Sequence, residues 1–335
     1  MIVDAHAHLA PAEFVGEIRR AGNHWGMEIA RNREGVEGFQ VDGRFLPFPP
    51  AFYDIGARLA EMGRMGVDHQ VISAVPLLLF YDREARLAHA MAQMTNEALA
   101  AAAREHPQRF TPMASLPLQD TALALEELER ACGELGMRAV EIGASAGERE
   151  LDHPDLEPFW AEVERRGIAV FIHPVKPPAR RRLDDFYLFN IIGFLTETTL
   201  AAGRLIFGGV LDRHPSLRIL LAHAGGQILF TEGRFDHCHR HIRQAQGTSR
   251  EAPSAYLRRL YYDTITYHPR ALGFVVDAVG AERVLLGSDH PFGISERDPV
   301  RLVGAVPGLG EEQRGAIRGG NAARLFGVES RERAA

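Results

Sequence analysis

The chain has 335 residues, 46% of them hydrophobic and 24% charged, with 44 acidic against 38 basic groups and a formal charge of −6. That balance excludes disorder and leaves no basic footprint for nucleic acid or an anionic membrane. No run of 18 apolar residues occurs and no charged-then-apolar leader precedes the first strand, so a soluble, cytoplasmic protein acting on a small molecule is the expectation.

The first apolar run, Ile2-Val3, leads into His6-Ala7-His8. A strand repeats every two residues, so both imidazoles project from one face about 7 Å apart along the backbone. That spacing suits two ligands of one first-row metal ion. Taken alone, the pair fits the polar edge of a half-buried strand better than it fits a metal site. Residues from about 10 to 53 then break the rhythm and read as an insertion. Within it, Phe39 to Leu46 reads as a β-hairpin turning at Asp42-Gly43.

Further strands are expected at Val71–Val75, Phe110–Ala114, Ala139–Ile142, Ala169–His173, Ile219–His223, Leu260–Thr264 and Val284–Ser288. Helical patterns lie between them at Asp54–Met65, Arg83–Glu105, Thr121–Leu135, Leu156–Arg166, Glu197–His214, Gln227–His241 and Arg270–Val279. Eight strands alternating with helices, several of them continuous apolar runs, predict an α/β protein with a (β/α)8 TIM barrel. The barrel takes residues 1–329 as one domain, with the inserted hairpin over its C-terminal mouth and a frayed tail at 330–335. An open doubly wound sheet is the alternative.

Function in such a barrel sits at the C-terminal strand ends. Strand one ends in His6 and His8, strand five in His173, strand six in His223 and strand eight in Asp289. His6, His8, His173 and Asp289 make an N3O set suited to one zinc ion per subunit, with manganese or another first-row ion as an alternative. His223 is left for general acid/base work, and Asp289 can both ligate and orient a metal-bound water. Cys132 and Cys238 stand far apart and form no thiolate site, and Lys176 is the one lysine. His237, His239 and His241 read as a solvated helix face.

This constellation resembles the amidohydrolase superfamily, whose pattern begins with His-x-His and closes with an aspartate after strand eight. Nearly the whole chain, from Asp4 to Phe326, is similar to the aminocarboxymuconate-semialdehyde decarboxylase subfamily. The matching segments include Arg58 to Val67, Ile172-His173-Pro174, Glu197-Thr198, His223-Ala224-Gly225-Gly226, Gly233-Arg234 and Gly287 to Phe292. The resemblance implies the same four ligands and His223 as the catalytic base. Many binuclear relatives bridge two ions with a carboxylated lysine on strand four. Strand four here has none, which favours one metal, and Glu141 either replaces the bridge or faces the barrel wall.

By the same resemblance Arg44 and Arg234 bind a substrate carboxylate, Arg234 by reaching into the neighbouring subunit of a homodimer. Asn190 and His290 stand where the subfamily has tryptophan and tyrosine, and Val175-Lys176 replaces a Trp-Asp pair, so the pocket is changed. Phe292 is retained as an apolar wall. The reading is a zinc-dependent, non-oxidative decarboxylase of a small anionic acid, unsaturated or aromatic. A metal-dependent hydrolase of a lactone or amide is the alternative, and a non-catalytic carboxylate-binding protein a further one.

Overall fold

A computed structural model describes residues 1–329 with 11, 42–43 and 179–181 excepted; the side chains of Asn23, His24 and Arg44 also lie outside the description, as does the tail from 330. Parallel strands at Val3–Leu9, His69–Ala74, Phe110–Pro112 with Ala114–Ser115, Ala139–Gly143, Ala169–His173, Arg218–Leu221, Tyr261–Asp263 and Val284–Leu285 are strands one to eight of a barrel. The ring closes where Ala5 N–H donates to the Leu286 carbonyl and His8 N–H to the His290 carbonyl, both at 2.8 Å. The doubly wound alternative is therefore not what the chain adopts.

Side chains alternate between two apolar layers, as a two-residue period requires. Ala139, Ala169, Phe171, Leu220 and Leu285 fill the barrel, while Val140, Ile142, Val170, Ile172, Ile219 and Leu221 pack outward under the helices. Glu141 and His173 follow the inward phase of Ala139 and Phe171.

Helix Ile55–Met65 starts where the Asp54 side chain caps Ala57 N–H and stops at Gly66, whose φ of 70° no residue with a Cβ adopts readily. The expected helix from Glu197 to His214 is two, Phe194–Phe207 and Val210–Arg213, parted at Gly209 with φ 70°. A π-turn, Phe189–Gly193, leads into the first of them. The helix expected from Gln227 begins only at Glu232.

The insertion is larger than a hairpin. A helix, Ala12–Trp25, precedes a three-stranded antiparallel sheet of Met27–Arg31, Glu37–Val41 and Arg44–Pro47. The expected Asp42-Gly43 turn falls outside the described residues. Phe14, Ile18, Trp25, Phe39, Phe48 and Phe52 make a separate apolar cluster with Val75, Leu78 and Met91, and Phe292 packs on its edge. Phe52 and Phe292 meet edge to face at 5.1 Å, so the insertion packs beside the segment that carries Asp289.

Candidate metal centre

His6, His8, His173 and Asp289 are all buried, and one donor atom from each lies within 4.8 Å of all the others. The two strand-one Nε2 atoms are 3.0 Å apart, and each is 3.3 Å from Asp289 Oδ1. The imidazoles meet edge to face with centroids 5.0 Å apart, closer than a regular extended strand would hold them. Asp289 lies beyond strand eight in left-handed backbone, φ 61°, as does His223 beyond strand six, φ 54°. Both side chains therefore come from turns rather than from the strand ends where the sequence pattern puts them.

The outer nitrogen of each of these imidazoles is committed elsewhere. His6 Nδ1 lies 2.7 Å from Asp263 Oδ2, His8 Nδ1 2.8 Å from the Ala74 carbonyl and His173 Nδ1 2.8 Å from the Pro174 carbonyl. A carbonyl can only accept, so these bonds put the proton on Nδ1 and turn the Nε2 lone pair inward. His173 Nε2 and Asp289 Oδ1 are buried without a hydrogen-bond partner among the described residues. Converging lone pairs and an orphaned carboxylate oxygen are what a divalent cation satisfies, at roughly 2.0–2.2 Å from each donor. The residues fit one first-row ion.

Electrostatics agree. Burial alone would raise Asp289, yet the surrounding imidazoles of His223, His6 and His8 hold its carboxyl well below the usual range. Burial alone would lower His6, but Asp263 and Asp289 outweigh it and push its pKa up to about 10. His173 is held well below its ordinary value by burial and by the neighbouring imidazoles. In effect Asp263 and Asp289 set a negative field around His6, while His8 and His173 are held toward the neutral form, a setting made for a cation.

His223 stands beside this group without joining it. Its Nε2 is 3.7 Å from Asp289 Oδ2, and its Nδ1 is buried without a hydrogen-bond partner among the described residues. Phe194 lies nearly parallel to the His223 ring at 6.3 Å and edge to face with His173 at 6.1 Å. Phe292 meets His8 at 5.3 Å. A proton-handling imidazole next to a cation site, with an aromatic ring parallel to it, can exchange a proton with a planar substrate held there.

The other candidates divide. Phe292 is at the site. His290 is buried, but its Nε2 is tied to Glu61 at 2.7 Å on helix Ile55–Met65. Lys176 is exposed and faces Glu148 at 3.4 Å, although its backbone N–H and that of Val175 are held by the buried Glu197 carboxylate. Asn190 is half-buried in the π-turn. Arg234 is exposed on helix Glu232–His241, which buries none of its residues, and the Arg44 side chain falls outside the described residues. Sequence reasoning missed Asp263, which ends strand seven, and Phe194.

Glu141 faces the barrel interior with Oε1 3.8 Å from His8 Nδ1, and both of its oxygens lack hydrogen-bond partners among the described residues. Burial pushes its pKa up to about 8. It is not among the four converging donors.

Comparison with known proteins agrees with this architecture. The chain is 31% identical over 329 residues to a 2-amino-3-carboxymuconate-6-semialdehyde decarboxylase of Dictyostelium discoideum, covering 98% of this chain and 92% of that one. The crystal structure of 5-carboxyvanillate decarboxylase from Sphingomonas paucimobilis superposes with a TM-score of 0.82 at 27% identity, over 98% and 99% of the two chains. A Polaromonas dihydroxybenzoic acid decarboxylase, solved with bound manganese and 2-nitroresorcinol, shares the fold with a TM-score of 0.78 at 24% identity, over 98% of each chain. Residues 3–328 match the amidohydrolase family, and the chain belongs to that family, in its aminocarboxymuconate-semialdehyde decarboxylase-like branch.

Proposed function

We propose that this protein is a metal-dependent, non-oxidative decarboxylase of a planar, conjugated carboxylic acid, aromatic or muconate-like. The observation that carries the reading is the buried four-donor cluster of His6, His8, His173 and Asp289 with His223 left uncommitted beside it. The relatives, which act as decarboxylases on small acids, supply the reaction class. Three imidazoles and a carboxylate suit zinc, and the manganese in a structural neighbour makes that ion the second candidate.

A divalent ion at these four residues would act as a Lewis acid, stabilising oxyanion charge on the substrate. Phe194, beside His223, and Phe292, beside His8, would supply apolar faces for the conjugated plane. His223 would deliver a proton to the carbon that bears the carboxylate. The electron pair of the C–C bond would then return to the conjugated system as CO2 departs, leaving that carbon with the new hydrogen. Arg44 and Arg234 would bind carboxylate by their planar forks, Arg234 from a partner in a homodimer.

The test is a panel of ortho-substituted aromatic and muconate-type acids, given to zinc- and manganese-loaded protein in heavy water. Release of CO2 with deuterium at the vacated carbon is the expected result. Uptake of solvent oxygen into a new carboxylate, without CO2, would overturn it.

A further inference from the structure

Strand one changes phase partway along. Val3 and Ala5 lie in the cluster that fills the barrel with Val71, Phe171 and Leu220, so regular alternation would send Asp4, His6 and His8 together to the helix side. Asp4 does go that way, toward Gln70 and Ser288. His6 and His8 turn inward instead: the His6 ring is 4.7 Å from Phe171, and Leu9 joins the outer layer. The change coincides with a register shift against strand two, where Asp4 pairs with Gln70 and the next pair is Ala7 with Ile72. Strand one thus advances by one residue more than its neighbour. A single extra residue reverses the facing of every side chain that follows, and bulges beside active sites commonly re-aim a side chain in this way.

Something must hold the extra residue, because a bulge leaves ladder groups unpaired. Arg58 is fully buried on helix Ile55–Met65 and spreads its guanidinium over three acceptors. Nε donates to the Ala51 carbonyl at 3.1 Å, Nη1 to Gln70 Oε1 at 2.7 Å and Nη2 to the His8 carbonyl. Gln70 Nε2 in turn donates to Asp4 Oδ2 at 3.0 Å. Asp4 Oδ1 accepts the backbone N–H of His6 at 3.2 Å and of Ser288 at 3.1 Å, and the Ser288 hydroxyl donates to Oδ2 at 2.5 Å. The His6 N–H and the His8 carbonyl, one on each side of the inward turn, are therefore both taken by buried side chains. Ser288 extends the same group to the segment carrying Asp289.

We propose that Arg58, Gln70 and Asp4 form a buried clamp on the outer side of the barrel that fixes the bulge in strand one and thereby aims His6 and His8 at the metal site. They are positioning residues, and the inference rests on the metal-site reading given above. A planar fork with several donors in fixed directions suits this task, and an ammonium reaches a different set of acceptors.

The test compares the parent with Arg58→Lys and Gln70→Met, reading zinc(II) affinity by chelator competition and amide hydrogen exchange of residues 3–9 in metal-free protein. Far-UV circular dichroism checks that each variant is folded. Folded variants should bind zinc roughly 10- to 100-fold more weakly, the range for lost outer partners of ligands, and exchange the His6 amide faster. Gln70→Met leaves Arg58 two of its three acceptors and carries the test if Arg58→Lys does not fold. Folded variants with parental zinc affinity would overturn the clamp. A parent that binds no zinc or manganese would instead overturn the metal site itself.

Discussion

Asp263 Oδ2 lies 2.7 Å from His6 Nδ1, and the same oxygen accepts the backbone N–H of His223 at 2.8 Å. One buried carboxylate thus orients one of the four converging donors and anchors the residue assigned to proton transfer. Its other oxygen takes the N–H groups of Ala224, at 2.8 Å, and Ile265, at 2.9 Å. Asp263→Asn would face His6 Nδ1 or a backbone N–H with an amide donor. Zinc affinity measured by chelator competition should fall roughly 10- to 100-fold, and turnover should fall further than metal saturation restores, because the His223 turn loosens too. Full recovery of turnover at saturating zinc would confine Asp263 to the ligand alone.

His223 contributes no atom to the converging four-donor set. His223→Ala should therefore keep one ion per chain by elemental analysis while turnover drops roughly 100- to 10,000-fold, the range for a lost general acid or base. Loss of the ion together with activity would make His223 a ligand.

Much of this site is legible from residues alone. His6, His8, His173 and Asp289 each follow an apolar strand, and in a parallel barrel that pattern points all of them to one end. Asp263 follows Tyr261-Tyr262 on strand seven in the same way, so the rule that finds Asp289 extends to it. Other features depend on tertiary contacts. The reversal of phase in strand one comes from Asp4, Gln70 and Arg58, which are 66 and 12 residues apart along the chain. Phe194 reaches His223 at the end of a π-turn that lies ahead of the helix expected from Glu197. The Met27–Arg31 strand of the insertion was hidden by its mixed polarity, since only part of it is buried.

Glu141 gives the pH dependence a definite sign. Its carboxyl is held up at about 8 by burial, against an ordinary value of 4.5. Between those values the folded protein keeps a proton that the unfolded chain has lost, so stability falls as pH rises through the window and the loss is complete above about pH 8. The cost is on the order of a few kcal/mol. Glu141→Leu removes the charge at the cost of no more than a weak contact with Ser73. In urea unfolding of metal-free protein from pH 5 to 9, the variant should lose this slope and exceed the parent at pH 9. It should also still bind one ion per chain. Loss of that ion would restore Glu141 as a ligand.

Large apolar side chains stand exposed on both flanks of the Arg234 helix and in the segment leading to Phe194. Phe230 is 85% exposed just before helix Glu232–His241 and Ile242 is 46% exposed just after it, while Phe186 is 86% and Ile191 51% exposed in the segment leading to Phe194. Arg234 makes no ion pair among the described residues, unlike Arg258, which lies 3.4 Å from Glu232 on the same helix. Apolar surface of this kind is where a second copy packs. A dimer should appear by light scattering, and Arg234→Ala should raise KM for the acid more than it lowers kcat, as loss of a carboxylate fork predicts. Mixing denatured Arg234→Ala and His223→Ala chains and refolding them together gives mixed dimers in which one site can draw both intact groups. Random pairing would make half the dimers mixed, so the recovered activity should approach roughly a quarter of the parent's. No recovery from demonstrably mixed dimers would mean that each subunit acts alone and that Arg234 serves only the surface.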